Sequence, residues 1–117
     1  MSTFGPPSFT IAVTPAREGV VVAVAGELDL ATAAQFEAAL REQLAAGPVR
    51  LDLQGLSFMD SSGIRVLDAV LRDLAAMRRT LVIEPTLQPA VRQVIALTGM
   101  TDALPFDVVS PAPEPRE

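Results

Sequence analysis

The sequence predicts an α/β fold: one domain with a mixed, largely parallel β-sheet and helices packed mainly on one face. Short apolar runs rich in β-branched residues alternate along the chain with segments whose apolar residues recur at helical spacing. Two strand patterns precede the first helix pattern, which predicts an antiparallel hairpin followed by parallel strands joined through helices. A chain of 117 residues is long enough to bury one core without disulfides.

The first half of the chain predicts a hairpin and a helix. Residues 9–13 alternate weakly as a strand before Pro15, and the apolar run at 20–25 is typical of a strand buried on both faces, with Gly26 ending it. Thr32 and Gln35 have the spacing of a capping box, which predicts that a helix begins there. Its apolar face comprises Phe36, Ala39, Leu40 and Leu44, and the pair Gly47-Pro48 ends it.

The second half predicts two more helices. Residues 49–53 alternate as a strand, and Gly55 is expected to begin a loop that runs to Gly63. Residues 64–77 carry the clearest helical spacing, with Arg65, Asp68 and Arg72 forming an exposed ion ladder on the opposite side. A strand at 80–83, a helix from Pro89 to Gly99 and a possible short strand at 106–109 complete the domain. That domain spans residues 9–109, and residues 1–8 and 110–117 are expected to be disordered tails because both are rich in proline.

Composition excludes several kinds of chemistry. The chain has no Cys and no His, and also no Lys, so disulfides, imidazole bases, thiolate or imidazole metal sites and Schiff bases cannot form. We expect no metal and no cofactor. The net charge of −5 argues against binding to nucleic acid or to an anionic membrane surface. No signal peptide and no apolar run of about 20 residues is evident, so a cytoplasmic protein is expected.

The most informative segment is Asp60-Ser61-Ser62-Gly63, which comes directly before the clearest helix. Asp and Ser at this position are ordinary N-caps, and capping alone could explain one of them. Two serines and a glycine exceed what a cap needs, and the preceding Phe58-Met59 pair is expected to anchor the segment in the core. A hydroxyl here could be a nucleophile or a phosphoacceptor. Because no strong base exists in the chain, the residues favour a phosphoacceptor near the positive end of the helix dipole.

A second segment, Gly26-Glu27-Leu28-Asp29, follows another strand. It can be interpreted simply as a strand exit and a helix cap. In a mostly parallel sheet, however, it leaves the same edge as Asp60–Gly63, and sites of open α/β sheets collect at that edge. Asp29 and Ser61 could therefore lie on one surface.

These segments resemble a known family. Gly26-Glu27-Leu28-Asp29, the run from Leu56 to Gly63, and Pro89-Ala90-Val91-Arg92 with Leu97-Thr98-Gly99-Met100 look like the motifs of bacterial anti-sigma factor antagonists of the STAS-domain type. The resemblance covers about residues 9–109. It implies a STAS-like fold, a small mixed sheet with helices packed on one side.

The resemblance also implies a function. Such a protein binds an anti-sigma factor that is also a serine kinase, which frees a sigma factor, and it is released when the kinase phosphorylates Ser61. A phosphatase then resets the switch. Asp60, Ser62 and Gly63 match the rest of the motif, and Asp29 matches an acidic position in the neighbouring contact segment. We expect no catalytic activity and a monomer or weak dimer.

Two other functions remain open on the sequence. The chain could be a permanent, non-switching STAS-type subunit of a stressosome-like or lipid-transport assembly, in which Ser61 is only a cap. A small hydrolase that uses Ser61 or Asp60 is a third hypothesis, and the lack of a base argues against it.

Overall fold

The computed structural model describes residues 9–107, so both predicted tails and the pair Val108-Val109 lie outside the described residues. The limits of the domain therefore stay a prediction. Within the described range the predicted order of elements is confirmed. The elements are β1 (Phe9–Pro15), β2 (Val20–Leu28), α1 (Ala33–Ala46), β3 (Val49–Met59), α2 (Ser61–Met77), β4 (Leu81–Ile83) and α3 (Pro89–Leu97).

The four strands form one mixed sheet in the spatial order β1-β2-β3-β4. β1 pairs with β2 in antiparallel orientation, whereas the β2–β3 and β3–β4 pairs are parallel. The predicted α/β fold class is thus confirmed. Since both parallel crossovers advance in the same direction along the sheet, right-handed connections bring α1 and α2 to the same face. α1 packs against both α2 and β2, as this handedness requires.

The core lies between the sheet and these helices. Val22 of β2 and Leu51 of β3 are paired, point to the same face and are fully buried. The helices supply the other half of the core with side chains at helical spacing, namely Phe36, Leu40 and Leu44 from α1, Ile64, Leu67 and Val70 from α2, and Val91 and Ile95 from α3. Helical periodicity therefore predicted the buried faces correctly.

The prediction that the 20–25 run is buried on both faces is wrong. Val22 and Val24 are buried, but Val21, Ala23 and Ala25 are only half-buried. The reason is that the helices pack on the face to which Val22 and Val24 point.

Within the described residues, no helix is long and apolar enough to cross a membrane.

β2 and β3 are longer than predicted. β2 continues through Gly26 to Leu28, and β3 continues through Gly55 to Met59, so the expected loop at Gly55 is strand. The register between the two strands shifts between Ala23 and Ala25 and again after Gly26, which marks bulges. A Cβ on Gly55 would lie 2.8 Å from the Ala25 Cβ, so the glycine permits a close approach of the two strands rather than a chain reversal.

The end of the described chain returns to the sheet edge. Phe106 forms a single parallel bridge to Ile83, which is the described part of the predicted strand at 106–109. Arg50 of β3 lies 2.7 Å from the carboxylates of both Glu84 and Asp107. These hydrogen bonds raise the pKa of Arg50 and connect β3 to the segments that follow β4 and α3.

We expect Gly55→Ala to destabilise the domain. The added methyl would meet Ala25 at 2.8 Å and the Val24 carbonyl oxygen at 3.1 Å, and paired backbone cannot easily move away. Overpacking of this kind costs about 1–3 kcal/mol, measurable by urea unfolding. Gly47→Ala is the matched control, because nothing lies within 4 Å of its Cβ position and its φ of 169° is extended backbone. Equal destabilisation by both substitutions would contradict the close-approach explanation.

Candidate functional site

The last residues of β2 and β3 bring two segments together at one edge of the sheet. Leu28 pairs with Met59, and the Asp60 amide donates to the Leu28 carbonyl oxygen at 3.1 Å. Asp29 and Asp60 follow these paired residues directly. The segment that leads into α1 and the beginning of α2 therefore leave the same edge, as a parallel β2–β3 pair requires.

Asp60 is the N-cap of α2, as the sequence predicts. Its backbone is extended, and its Oδ1 accepts a hydrogen bond from the Ser62 amide at 2.8 Å. The Asp60 carbonyl oxygen accepts from the Gly63 amide at 3.1 Å. Asp60 thereby satisfies two of the donors that a helix start leaves without partners.

Ser61 is the first residue of α2. It is exposed, and its hydroxyl makes no hydrogen bond to any described residue. Ser62 is half-buried beside it. A hydroxyl that the fold does not use, on the first residue of a helix, is accessible to a partner protein.

Gly63 fixes the depth of the helix start. It is buried, and a Cβ there would lie 2.8 Å from both Leu28 Cδ2 and Met59 Cγ. Both of these side chains are fully buried, so they have little room to move. The sequence suggested Gly63 only as part of a motif, and the structure supplies the packing reason for it.

Asp29 binds its own turn. Its Oδ1 accepts from the Ala31 amide at 3.0 Å and from the Thr32 amide at 3.2 Å. The predicted capping box is wrong at this point, because Thr32 occupies the N-cap position of α1 without a side-chain capping bond. Its hydroxyl instead donates to the Glu27 carbonyl oxygen at 3.0 Å and accepts from the Asp29 amide at 2.9 Å. Asp29 and Thr32 together order the turn before α1.

This turn exposes an apolar residue that sequence reasoning missed. Leu30 is 78% exposed beside Asp29. The expectation that Phe58 and Met59 both anchor in the core is half wrong: Met59 is fully buried but Phe58 is 43% exposed. In the second half of β3 the burial does not alternate, because the buried residues are Leu56 and Met59, three positions apart, and both residues between them are exposed. The register shifts between β2 and β3 mark the bulges that break the alternation. Because the bulges depend on how the two strands pair, regular alternation does not give the exposed and buried positions here, and nothing in the sequence identifies Leu30.

A shallow groove extends from the site between α1 and α2. Leu30, Ser62 and Arg65 line its end nearest the sheet edge. Farther along, Arg41 binds Glu37 at 2.8 Å and Asp73 at 2.9 Å, and Arg72 binds Asp68 at 2.8 Å. These hydrogen bonds raise the pKa of Arg41.

The ion ladder predicted on α2 is only partly correct. Asp68 and Arg72 form the expected pair, but Arg65 has no ion pair or hydrogen bond with any described residue. Two arginines therefore have acidic partners close by and the third does not.

The described residues contain no group of three or more carboxylates that could hold a metal ion. The Asp60 carboxylate directly precedes Ser61 in the chain. It accepts a hydrogen bond from the Ser62 amide and therefore serves as the cap of α2. What the site presents is an exposed hydroxyl, an exposed leucine and two carboxylates on a short edge of the sheet.

Comparison with known proteins identifies the family. The family model of the STAS domain matches residues 11–110. The chain belongs to the STAS domain family. An anti-sigma F factor antagonist from Lysinibacillus sphaericus is 36% identical over 88 residues, which are 72% of this chain and 74% of that protein. The anti-sigma-F factor antagonist RsfB of Mycobacterium tuberculosis is 38% identical over 66 residues, 55% of this chain and 54% of RsfB.

Solved structures agree with this assignment. An anti-sigma factor antagonist from Mycobacterium paratuberculosis matches this STAS domain with a TM-score of 0.72 and 30% identity over 87% of each chain. The anti-sigma factor antagonist SpoIIAA in its unphosphorylated form matches with a TM-score of 0.67 and 25% identity, over 86% of this chain and 90% of SpoIIAA. The predicted STAS-like fold is thereby confirmed.

We expect Asp60→Ala to destabilise the STAS domain by about 1 kcal/mol, because the Ser62 amide loses its acceptor. Asp60→Asn retains an oxygen acceptor and is expected to cost only a few tenths of a kcal/mol. Urea unfolding of the two variants beside the parent protein measures the difference. If both variants lose the same stability, the negative charge beside the helix dipole, and not the hydrogen bond, carries the effect.

Proposed function

We propose that this STAS domain is an anti-sigma factor antagonist that is switched off by phosphorylation of Ser61. In its unphosphorylated form it binds an anti-sigma factor that is also a serine kinase, and a sigma factor is released. The observation that carries this proposal is the exposed Ser61 hydroxyl on the first residue of α2, which makes no hydrogen bond within the part of the chain that the structure describes. The names of the relatives support the same class of function.

The phosphoryl transfer needs nothing from this chain except the hydroxyl. The Ser61 oxygen attacks the γ-phosphorus of ATP, the bond to the bridging oxygen of ADP breaks, and a base of the kinase takes the hydroxyl proton. The kinase also supplies the metal ion. In this proposal the protein is a substrate and a regulator without catalytic activity or a cofactor of its own, and it acts in the cytoplasm as a monomer or weak dimer.

Phosphorylation would break the complex through charge and desolvation. The phosphoryl group adds about −1.5 to −2 charges at neutral pH beside Asp60 and Asp29, in a protein whose net charge is already −5. A hundredfold loss of affinity needs only about 2.7 kcal/mol, which a dianion placed in an acidic interface can supply. A phosphatase that removes the group restores binding.

Leu30 extends the binding surface beyond the residues of the motif. A partner that covers Leu30 would remove most of an exposed leucine side chain from water, which favours binding. Asp29 orders the turn that carries Leu30 through its hydrogen bonds to Ala31 and Thr32. In this proposal the partner contacts Leu30 together with Asp29, Asp60, Ser61, Ser62 and Gly63.

We expect the protein isolated from its own host to carry one phosphate, mapped to Ser61 by intact mass and peptide analysis and removed by phosphatase. Ser61→Ala should abolish the phosphate and retain kinase binding, and Ser61→Asp should weaken that binding. Ser62→Ala is the neighbouring control and should still be phosphorylated. If no phosphate is found under any growth condition and an ATP-insensitive stoichiometric complex is isolated, the permanent-subunit hypothesis replaces this one.

We expect Leu30→Ala to lower the affinity for the anti-sigma kinase about 5- to 30-fold, because an interface anchor contributes on the order of 1–2 kcal/mol. The kinase is first isolated by its binding to the Ser61→Ala protein. Its affinity for each variant is then measured by calorimetric titration. Leu97→Ala is a matched control, because Leu97 is 77% exposed but lies at the far end of α3. Equal affinities of the two variants would contradict a role for Leu30.

A further inference from the structure

Arg65 is an exposed cation beside the proposed phosphorylation site, and it has no partner among residues 9–107. Helices α1 and α2 carry three arginines, and two of them bind carboxylates: Arg41 binds Glu37 and Asp73, and Arg72 binds Asp68. Arg65 has neither an ion pair nor a hydrogen bond with any described residue. A cation in the second turn also gains nothing from the helix dipole, which favours anions at this end.

The helix geometry directs Arg65 toward Ser61. The two residues are four positions apart on α2, so they lie on the same face one turn apart. Side chains on a helix tilt toward its N-terminus, and a long side chain covers the turn that precedes it. Ser61 and Ser62 occupy that turn, and Arg65 lines the groove together with Ser62.

The backbone at the helix start is already engaged. The Ser62 amide donates to Asp60 Oδ1 at 2.8 Å, and the Gly63 amide donates to the Asp60 carbonyl oxygen at 3.1 Å. A phosphoryl group on Ser61 would therefore find two of the usual anion-binding amides occupied and the Asp60 carboxylate nearby. It needs a cation from elsewhere, and Arg65 is the unpaired cation one turn away.

We propose that the guanidinium group of Arg65 binds the phosphoryl group of phosphorylated Ser61 within the same chain. Guanidinium and phosphate form charge-assisted, often bidentate hydrogen bonds, which suits an exposed pair at this spacing. The neighbouring charges do not compete for Arg65, because Glu37, Asp68, Arg72 and Asp73 are paired among themselves or with Arg41. This inference rests on the proposed function only for the presence of the phosphate in the cell.

The pairing gives phosphorylation a second effect on the surface. Before phosphorylation the guanidinium of Arg65 is available to a partner at the rim of the groove. Afterwards it is bound to the phosphate of its own chain. The modification would thus add negative charge and remove a hydrogen-bond donor from the same surface.

The test uses phosphoserine installed directly at position 61 by amber suppression, so no kinase is needed. A ³¹P NMR titration gives the second pKa of the phosphate, which is about 6 for a free phosphoserine. A bound guanidinium favours the dianion and lowers this pKa, so we expect Arg65→Gln to raise it by about 0.2–0.4 unit. Arg17→Gln removes an exposed arginine from the turn between β1 and β2, at the opposite edge of the sheet, and is expected to leave the pKa unchanged.

Arg65→Lys keeps the charge but not the fork of donors, and we expect its phosphate pKa to lie between those of the parent and Arg65→Gln. Arg65→Gln should not change the thermal unfolding midpoint of the unphosphorylated protein, because no residue that the structure describes pairs with Arg65. If Arg65→Gln and Arg17→Gln leave the phosphate pKa equally unchanged, the pairing does not exist. That result is independent of the mass analysis of host protein, whose failure would overturn the proposed function alone.

Discussion

The contact of Gly63 with Leu28 and Met59 determines where α2 begins, and the site depends on it. These two side chains end neighbouring parallel strands and are fully buried. With only a hydrogen at position 63, the first turn of the helix lies directly on the strand ends, and Asp60 can span from the Leu28 carbonyl oxygen to the Ser62 amide. A larger residue would lift that turn away from the sheet, and the cap and the exposed hydroxyl would move with it.

The two acidic residues of the site have distinct structural tasks. Asp60 orders the start of α2, and Asp29 orders the turn before α1 through its own backbone neighbours. Both carboxylates therefore stabilise local structure in addition to any contact with a partner. Such residues can be required for binding for two separate reasons, since removing the side chain changes both the charge and the shape of the surface.

Much of this structure could be predicted from sequence because it depends on local patterns. Helical spacing gave the buried residues of α2, and the alternation of strand and helix patterns gave the parallel sheet. The lengths of β2 and β3 could not be predicted, since Gly26 and Gly55 are common turn residues. Here Gly55 instead allows β3 to lie close to Ala25 of β2, and this is a tertiary contact.

The site shows the same division between local and tertiary information. The Asp60 cap is a local pattern and was predicted. The Thr32 capping box matched the sequence pattern but lost to a competing bond with Glu27, which lies five residues earlier on β2. The exposure of Leu30 and the isolation of Arg65 depend on which neighbours the packing supplies. A sequence pattern does not contain that information.

The connection between β3 and α2 is a single residue, Asp60. Most strand-to-helix connections have about two to six residues and can adopt several conformations. A one-residue connection with both ends hydrogen-bonded leaves few alternatives, so the Ser61 hydroxyl occupies its position before any partner arrives. A partner then loses little affinity to the selection of a rare conformer. The affinity for the partner then depends on the charged and apolar groups of the surface, and a single covalent phosphate can change it.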